Sequence, residues 1–237
     1  MNQTASPGFV DPDAVKGTAT GHDEVVLRAT RRALARRQAA YTDEVRRLLD
    51  AGLEVMREYG TSKSPRVSDI VEAAGLSRDA FYRHFESKGD LVAAIVEAGA
   101  HRLVDYLTHQ MRKEPEPADQ LRRWVEGIMS QAANARVAQV TRAVMWNGGH
   151  VGDRSRPGVD VTYGLFADLI AGPVEALGST DPARDAAVIA QAAMGRMHDF
   201  LWRSDTPTRA DISHLVRFCT AAVQAAPPTS RQEHSRP

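Results

Sequence analysis

Arg78, Asp79, Tyr82, Arg83 and His84 lie within seven consecutive residues, and their side chains suit recognition of a duplex better than bond-breaking. A guanidinium can donate two parallel hydrogen bonds to the O6 and N7 edge of guanine in a DNA major groove. A phenol and an imidazole beside it can donate to phosphate oxygens and so fix orientation without reading sequence. Ser77, immediately before the group, and Lys88, just after it, supply a cap and a further cation.

These groups need a rigid rod to carry them. Ser77 reads as the N-cap of a short helix, because its hydroxyl can accept from an otherwise orphaned backbone N–H. Phe81 and Phe85, four apart, share a face and with Ile70, Leu76 and Leu91 can close a small core. At about 100° per residue, Asp79, Ala80 and Arg83 are then expected to point away from that core, with Arg78, Tyr82 and His84 on the flanks. Before it, Val67 to Ala74 reads as a second helix stopped by Gly75, since glycine alone takes positive φ without steric cost. The turn of about three residues between them is the spacing of a helix-turn-helix.

The run Val67-Ser68-Asp69-Ile70-Val71-Glu72-Ala73-Ala74-Gly75-Leu76-Ser77-Arg78, then Phe81-Tyr82-Arg83-His84-Phe85 and Ser87-Lys88, resembles the DNA-binding domain of the TetR family of transcriptional regulators. The resemblance extends without gaps from about residue 42 to 103 and stops there. It implies a homodimer in which each subunit offers residues 77–85 to the major groove of a palindromic double-stranded operator. By resemblance Tyr82, His84 and Lys88 are phosphate contacts, while Arg78, Asp79, Ala80 and Arg83 are the candidate base readers, joined by Ser68 on the preceding helix. Asp79 can accept from cytosine or pair with Arg83 at i, i+4; the pairing is the favoured reading. Repression, as opposed to activation, follows from the resemblance alone.

The charge distribution restricts where DNA could bind. The net charge of the 237-residue chain is zero and its pI about 7.1, so any attraction to a polyanion must be local. Between residues 42 and 100 eight basic residues face eleven acidic ones, a balance of −3. Residues 24–41 add five arginines (Arg28, Arg31, Arg32, Arg36, Arg37) against one glutamate, bringing the stretch to +1. This segment reads as a basic arm that follows phosphates or enters a minor groove, or as a solvated helix. The single cysteine, Cys219, excludes an internal disulfide framework and fits a reducing, cytoplasmic setting. No apolar run is long enough for a membrane span, and the start of the chain lacks a signal-peptide pattern.

The expected class is all-α, a three-helix N-terminal DNA-binding domain followed by a helical ligand-binding and dimerisation domain. Residues 1–23 read as a disordered tail, 24–41 as the arm, 42–100 as the helix-turn-helix domain, 101–225 as the C-terminal domain, and 226–237 as a disordered tail that begins just before Pro227-Pro228. Thr42 is expected to cap the first core helix and Gly60 to end it. Ser87 and Asp90 should cap a long helix to about Lys113, which begins in one half and ends in the other. Residues 148–158 read as a loop, Pro173 as a kink, Asp181-Pro182 as a helix start, and Thr208 with Asp211 as the cap of a last helix. The last two helices would pair with those of a second subunit.

In the second half Trp124, Met129, Met145, Trp146, Phe166, Met194, Met197, Phe200 and Trp202 are large and adaptable. They read as ordinary core one by one, and together as a pocket for an apolar or amphipathic small-molecule effector. His198 and His150 are candidate polar contacts within it. Nothing suggests a cofactor or metal: the histidines lack ligand spacing with cysteine, and Gly148-Gly149-His150-Val151-Gly152 lacks the strand and helix of a dinucleotide site. No nucleophile or metalloprotease motif occurs, so the chain is not expected to be an enzyme. The competing reading is a helical small-molecule-binding protein or enzyme that keeps the helix-turn-helix only as scaffold.

Overall fold

The computed structural model describes residues 21–149 and 157–224. Among them are nine α-helices and no strand: α1 (Gly21–Tyr59), α2 (Val67–Ala74), α3 (Arg78–His84), α4 (Lys88–Met111), α5 (Pro117–Ala133), α6 (Ala135–Gly149), α7 (Pro157–Ala176), α8 (Pro182–Arg203) and α9 (Arg209–Gln224). Residues 1–20 and 226–237 of the two expected tails lie outside the described residues, as do His150 and the rest of 150–156; Gly21 to Asp23, expected in the first tail, instead belong to α1.

The chain divides into two units at Val45/Arg46, inside α1. In the first unit the described side chains from Asp23 to Asp43 are all exposed, including Val25, Val26, Leu27, Leu34 and Tyr41. Thr42 does not open a helix: α1 runs through it, and its hydroxyl donates to the Gln38 carbonyl at 2.9 Å. Alanines and arginines supply helix propensity upstream of Thr42, so the chain has no reason to break there.

The second unit holds two apolar clusters. In the first, Leu48, Ala51 and Met56 of α1, Ile70, Val71 and Ala74 of α2, Phe81 of α3, and Leu91, Val92 and Ile95 of α4 are buried together. Each large side chain so buried contributes roughly 1.5–3 kcal/mol. The expected contributions of Leu76 and Phe85 are present as half-buried edges of this cluster. Ala143 of α6 is buried in it as well, with Val144 packed alongside. The second cluster surrounds Leu107, Leu121, Trp124, Ile128, Ile170, Ala193 and Leu201. As the sequence suggests, α4 serves both, giving Leu91 and Ile95 to one and Leu107 and Met111 to the other. Where α4 meets α5 the Leu107 side chain fills the space beside Gly127, so a Cβ there would run into Leu107 Cδ2.

Most helix ends follow the sequence. Gly60 stops α1 at φ +58, with its N–H on the Met56 carbonyl at 2.9 Å. Ser87 and Asp90 form a reciprocal box at the start of α4, at 3.2 and 2.8 Å. Asp181 caps α8 with Pro182 at its first turn, and Thr208 with Asp211 closes the start of α9 at 2.8 and 3.2 Å. The loop expected over residues 148–158 needs correction at both ends. Gly148 and Gly149 belong to α6 instead of a loop, because the helix is held by burial of Ala143 and Asn147 just before them. At the other end of the expected loop, Pro157 and Gly158 belong to α7, and Pro173, the expected kink, lies inside that helix, which continues to Ala176.

Candidate nucleic-acid interface

The turn between α2 and α3 is fixed from both sides. Gly75 adopts φ +61 and ψ 39, and the N–H of Leu76 reaches the Val71 carbonyl at 2.9 Å. Arg47 of α1 donates to the Ala74 carbonyl at 2.6 and 3.1 Å and to the Gly75 carbonyl at 3.1 Å. A cation at the negative end of α2 also offsets its dipole. On the far side Ser77 Oγ accepts from the Ala80 N–H at 3.1 Å, as a cap should.

Six of the candidates on and around α3 are placed as expected. Arg78, Asp79, Tyr82 and Arg83 are exposed, Tyr82 at 58%, and Ser77 is exposed at the cap. His84 is half-buried on the flank. Phe81 is fully buried beneath them, with the Tyr82 ring edge-on to it at 5.3 Å and the Phe85 ring at 5.8 Å. Ala80 is a correction: it is only 4% exposed and faces the core. The buried arc of α3 is therefore centred between Phe81 and His84, not between the two phenylalanines.

The other two candidates are engaged by neighbours. Ser68 is half-buried and donates to Asp69 Oδ1 at 3.2 Å. Asp69 also accepts from the Arg66 N–H and the Tyr59 hydroxyl, each at 3.1 Å. The Arg66 N–H above all, with the Tyr59 and Ser68 hydroxyls, holds its carboxyl below the usual range. Lys88, the first residue of α4, is half-buried and donates to Ser64 Oγ at 2.8 Å. The sequence reading passed over Arg47, Ser64 and Asn147. All three show themselves only in three dimensions, since their partners lie 27 or more, 24 and 83 residues away along the chain.

Of the ligand candidates, Trp124, Met129, Phe166, Met194 and Met197 are buried in the second cluster, with Met145 packed against it. Trp124 Nε1 is buried with no hydrogen-bond acceptor. Such an orphan costs roughly 1–3 kcal/mol unless something fills the role. His198 is half-buried, and burial pushes its imidazole below the ordinary value. Trp146 is half-buried outside both clusters. Phe200 packs on the edge of the second cluster, and Trp202 is 53% exposed. A cleft of about 430 Å³ opens between α5, α8 and α9, lined by Met129, Arg196, Phe200, Asp211, His214 and Phe218 among others. Of the candidates, Met129 and Phe200 line it, whereas Trp124, Phe166, Met194 and Met197 do not. Cys219 is fully buried, and burial pushes its thiol up to about 11. Among the described residues no group of three or more His, Cys, Asp or Glu could hold a metal, and no helix is long and apolar enough to cross a membrane.

Residues 48–95, the segment with this geometry, match the model of the bacterial regulatory proteins of the tetR family. This part of the chain is a TetR-family helix-turn-helix domain. It is 37% identical over 71 residues to the HTH-type transcriptional regulator SrpR of Pseudomonas putida, covering 30% of this chain and 33% of that protein. It is 34% identical over 83 residues to an uncharacterized HTH-type transcriptional regulator of Mycobacterium bovis, covering 35% and 42%. The chain thus spans less than half the length of these curated relatives. Solved structures extend the likeness of fold beyond the TetR-family domain. A transcriptional regulator from Rhodococcus sp. Rha1 aligns with TM-score 0.55 at 18% identity, over 77% of this chain and 99% of that one. The regulator FadR of Bacillus subtilis, solved with stearoyl-CoA, aligns with TM-score 0.53 at 14% identity, over 76% and 97%. The all-α architecture, with an N-terminal helix-turn-helix and a helical C-terminal domain, is the one these regulators share.

Proposed function

We propose that the chain is a ligand-responsive, sequence-specific DNA-binding regulator of transcription. The observation that carries this is the face of α3: Arg78, Asp79, Tyr82 and Arg83 stand exposed on a helix anchored by a fully buried Phe81. Arg83 and Arg78 read base edges, and Asp79 orients the Arg83 fork or accepts from cytosine. Tyr82, His84, Lys88 and the Ser77 end of the helix hold phosphates. Ser68, turned onto Asp69, has a minor part, and Ala80 has none. The arginines of residues 24–41 add a sequence-independent attraction that the acidic residues 42–100 do not provide.

The C-terminal domain answers to a small apolar or amphipathic effector. Its support is a methionine-rich core with a donor, Trp124 Nε1, left without an acceptor, together with a fold shared with a regulator solved with stearoyl-CoA. The protein acts as a homodimer through α8 and α9, which expose Val188, Trp202 and Phe218. The effector releases a repressor from a palindromic operator by binding more tightly to a conformation whose recognition helices miss the half-site spacing.

Selection from a random-sequence duplex library, followed by salt titration, tests the reading. Recovery of a palindrome bound with steep salt dependence is expected. Binding no better than to random duplex would favour a helix-turn-helix kept only as scaffold.

A further inference from the structure

Lys88 and a buried amide of the C-terminal domain are joined through one hydroxyl. Lys88 Nζ donates to Ser64 Oγ at 2.8 Å, and Ser64 Oγ donates to Asn147 Oδ1 at 3.0 Å. Asn147 Nδ2 donates to the Ala143 carbonyl at 2.9 Å. Ser64 lies in the loop between α1 and α2, Lys88 opens α4, and Asn147 lies on α6. Asn147 is 2% exposed, one of two buried polar side chains among the described residues, and cannot reach a nucleic acid itself.

Every bond in this chain runs the same way. The back-bond to Ala143 settles which end of the amide is nitrogen and turns Oδ1 to the loop. Oδ1 then takes the single proton of Ser64, so the serine lone pairs are left facing the ammonium. A hydroxyl that accepts from a cation becomes a better donor, so the two bonds on Ser64 reinforce each other. Lys88 keeps two of its three N–H groups for another acceptor.

The position of Lys88 makes an anchor necessary. It is the first residue of a 24-residue helix, at the end where the dipole repels a cation. An unrestrained lysine there would turn to solvent and lose its rotamer freedom on meeting an anion. Held by Ser64, it stays beside the Ser87 cap. We infer that Asn147 is a positioning residue for DNA binding: through Ser64 it holds the Lys88 ammonium where it meets a backbone phosphate. This rests on the DNA-binding reading above and adds a requirement to it, that α6 be seated. The seat is built: Ala143 is buried among Leu91, Val92 and Ile95, and a Cβ at Gly148 would stand 3.3 Å from Val96 Cγ2. One turn earlier Arg142 donates to the Leu201 carbonyl of α8 at 2.6 Å, so the same helix is tied to the C-terminal bundle. A shift of α6 therefore reaches a phosphate contact without moving α3.

The test is salt-titrated binding of the full chain to a duplex selected with the wild-type protein, for Lys88→Ala, Ser64→Ala, Ser64→Thr and Asn147→Leu, with melting temperatures alongside. Lys88→Ala should lower the slope of log affinity against log salt by about one per subunit, one phosphate fewer. Ser64→Ala and Asn147→Leu should weaken binding severalfold and lower the slope in the same sense, and their double variant should be no worse than either alone. Ser64→Thr, which keeps the hydroxyl, should bind as wild type. If Asn147→Leu fails to fold, Ser64→Ala carries the test. A lowered melting temperature with wild-type slope and affinity in Ser64→Ala and Asn147→Leu would reduce Asn147 to packing and overturn the inference alone. An unchanged slope for Lys88→Ala would overturn it too, with the DNA-binding reading intact. Failure of the wild type to select any duplex would overturn both.

Discussion

Arg47 and Ala74, 27 residues apart, are joined by two hydrogen bonds from one guanidinium to one carbonyl oxygen, at 2.6 and 3.1 Å. The bonds close the C-terminal end of α2 at the point where the chain turns into α3. They also restrict Gly75, whose missing Cβ would lie 3.1 Å from Arg47 Nη2 in a backbone conformation of φ +61. Left-handed backbone costs an L-residue roughly 1–2 kcal/mol, and asparagine tolerates it better. Gly75→Ala should therefore lose about that much stability in urea unfolding and Gly75→Asn less. Equal stability of the alanine variant and wild type would show that the turn is not held as described.

Cys219 offers a check on the C-terminal core. Burial raises its thiol from 9.0 to about 11. At pH 8 the thiolate fraction is then roughly a hundredfold below that of an ordinary cysteine, and only the thiolate reacts. Native protein should resist a thiol reagent that labels one equivalent once the chain is unfolded. Rapid labelling of the folded protein would place α9 elsewhere.

His198 sets a pH dependence whose sign is fixed. Burial lowers its pKa in the folded state, so below about pH 6.5 the unfolded chain takes up the proton first. This residue's effect is absent above that pH, and stability falls as pH drops from there toward the folded value. His198→Gln should flatten this part of a thermal stability profile measured between pH 7 and 5. A variant profile parallel to wild type would assign the slope to other groups.

How far the sequence went depends on what each residue needed for its meaning. Helix ends made by local chemistry, at Gly60, Gly75, Ser77, Ser87 and Asp181, were legible because cap and capped group are within a few residues of each other. Ala80 was misplaced because two phenylalanines put the centre of the buried arc about 50° from where it lies in a seven-residue helix, where half-buried His84 shares the inner face. Thr42 was misread because a capping residue within a strong helical run has no break to cap. The Asn147–Ser64–Lys88 chain was illegible, since its members are 83 and 24 residues apart and each is unremarkable by itself. The Met and Trp residues pointed to the C-terminal core, but their sequence did not separate the buried cluster from the cleft beside α9.

The central claim, that α3 reads bases through Arg83, is tested most directly by repeating the duplex selection with Arg83→Ala at matched melting temperature. The account predicts binding weaker by ~1–3 kcal/mol on the wild-type site and loss of preference at one base position per half-site. An Arg83→Ala protein that selects the wild-type sequence with undiminished preference would contradict it.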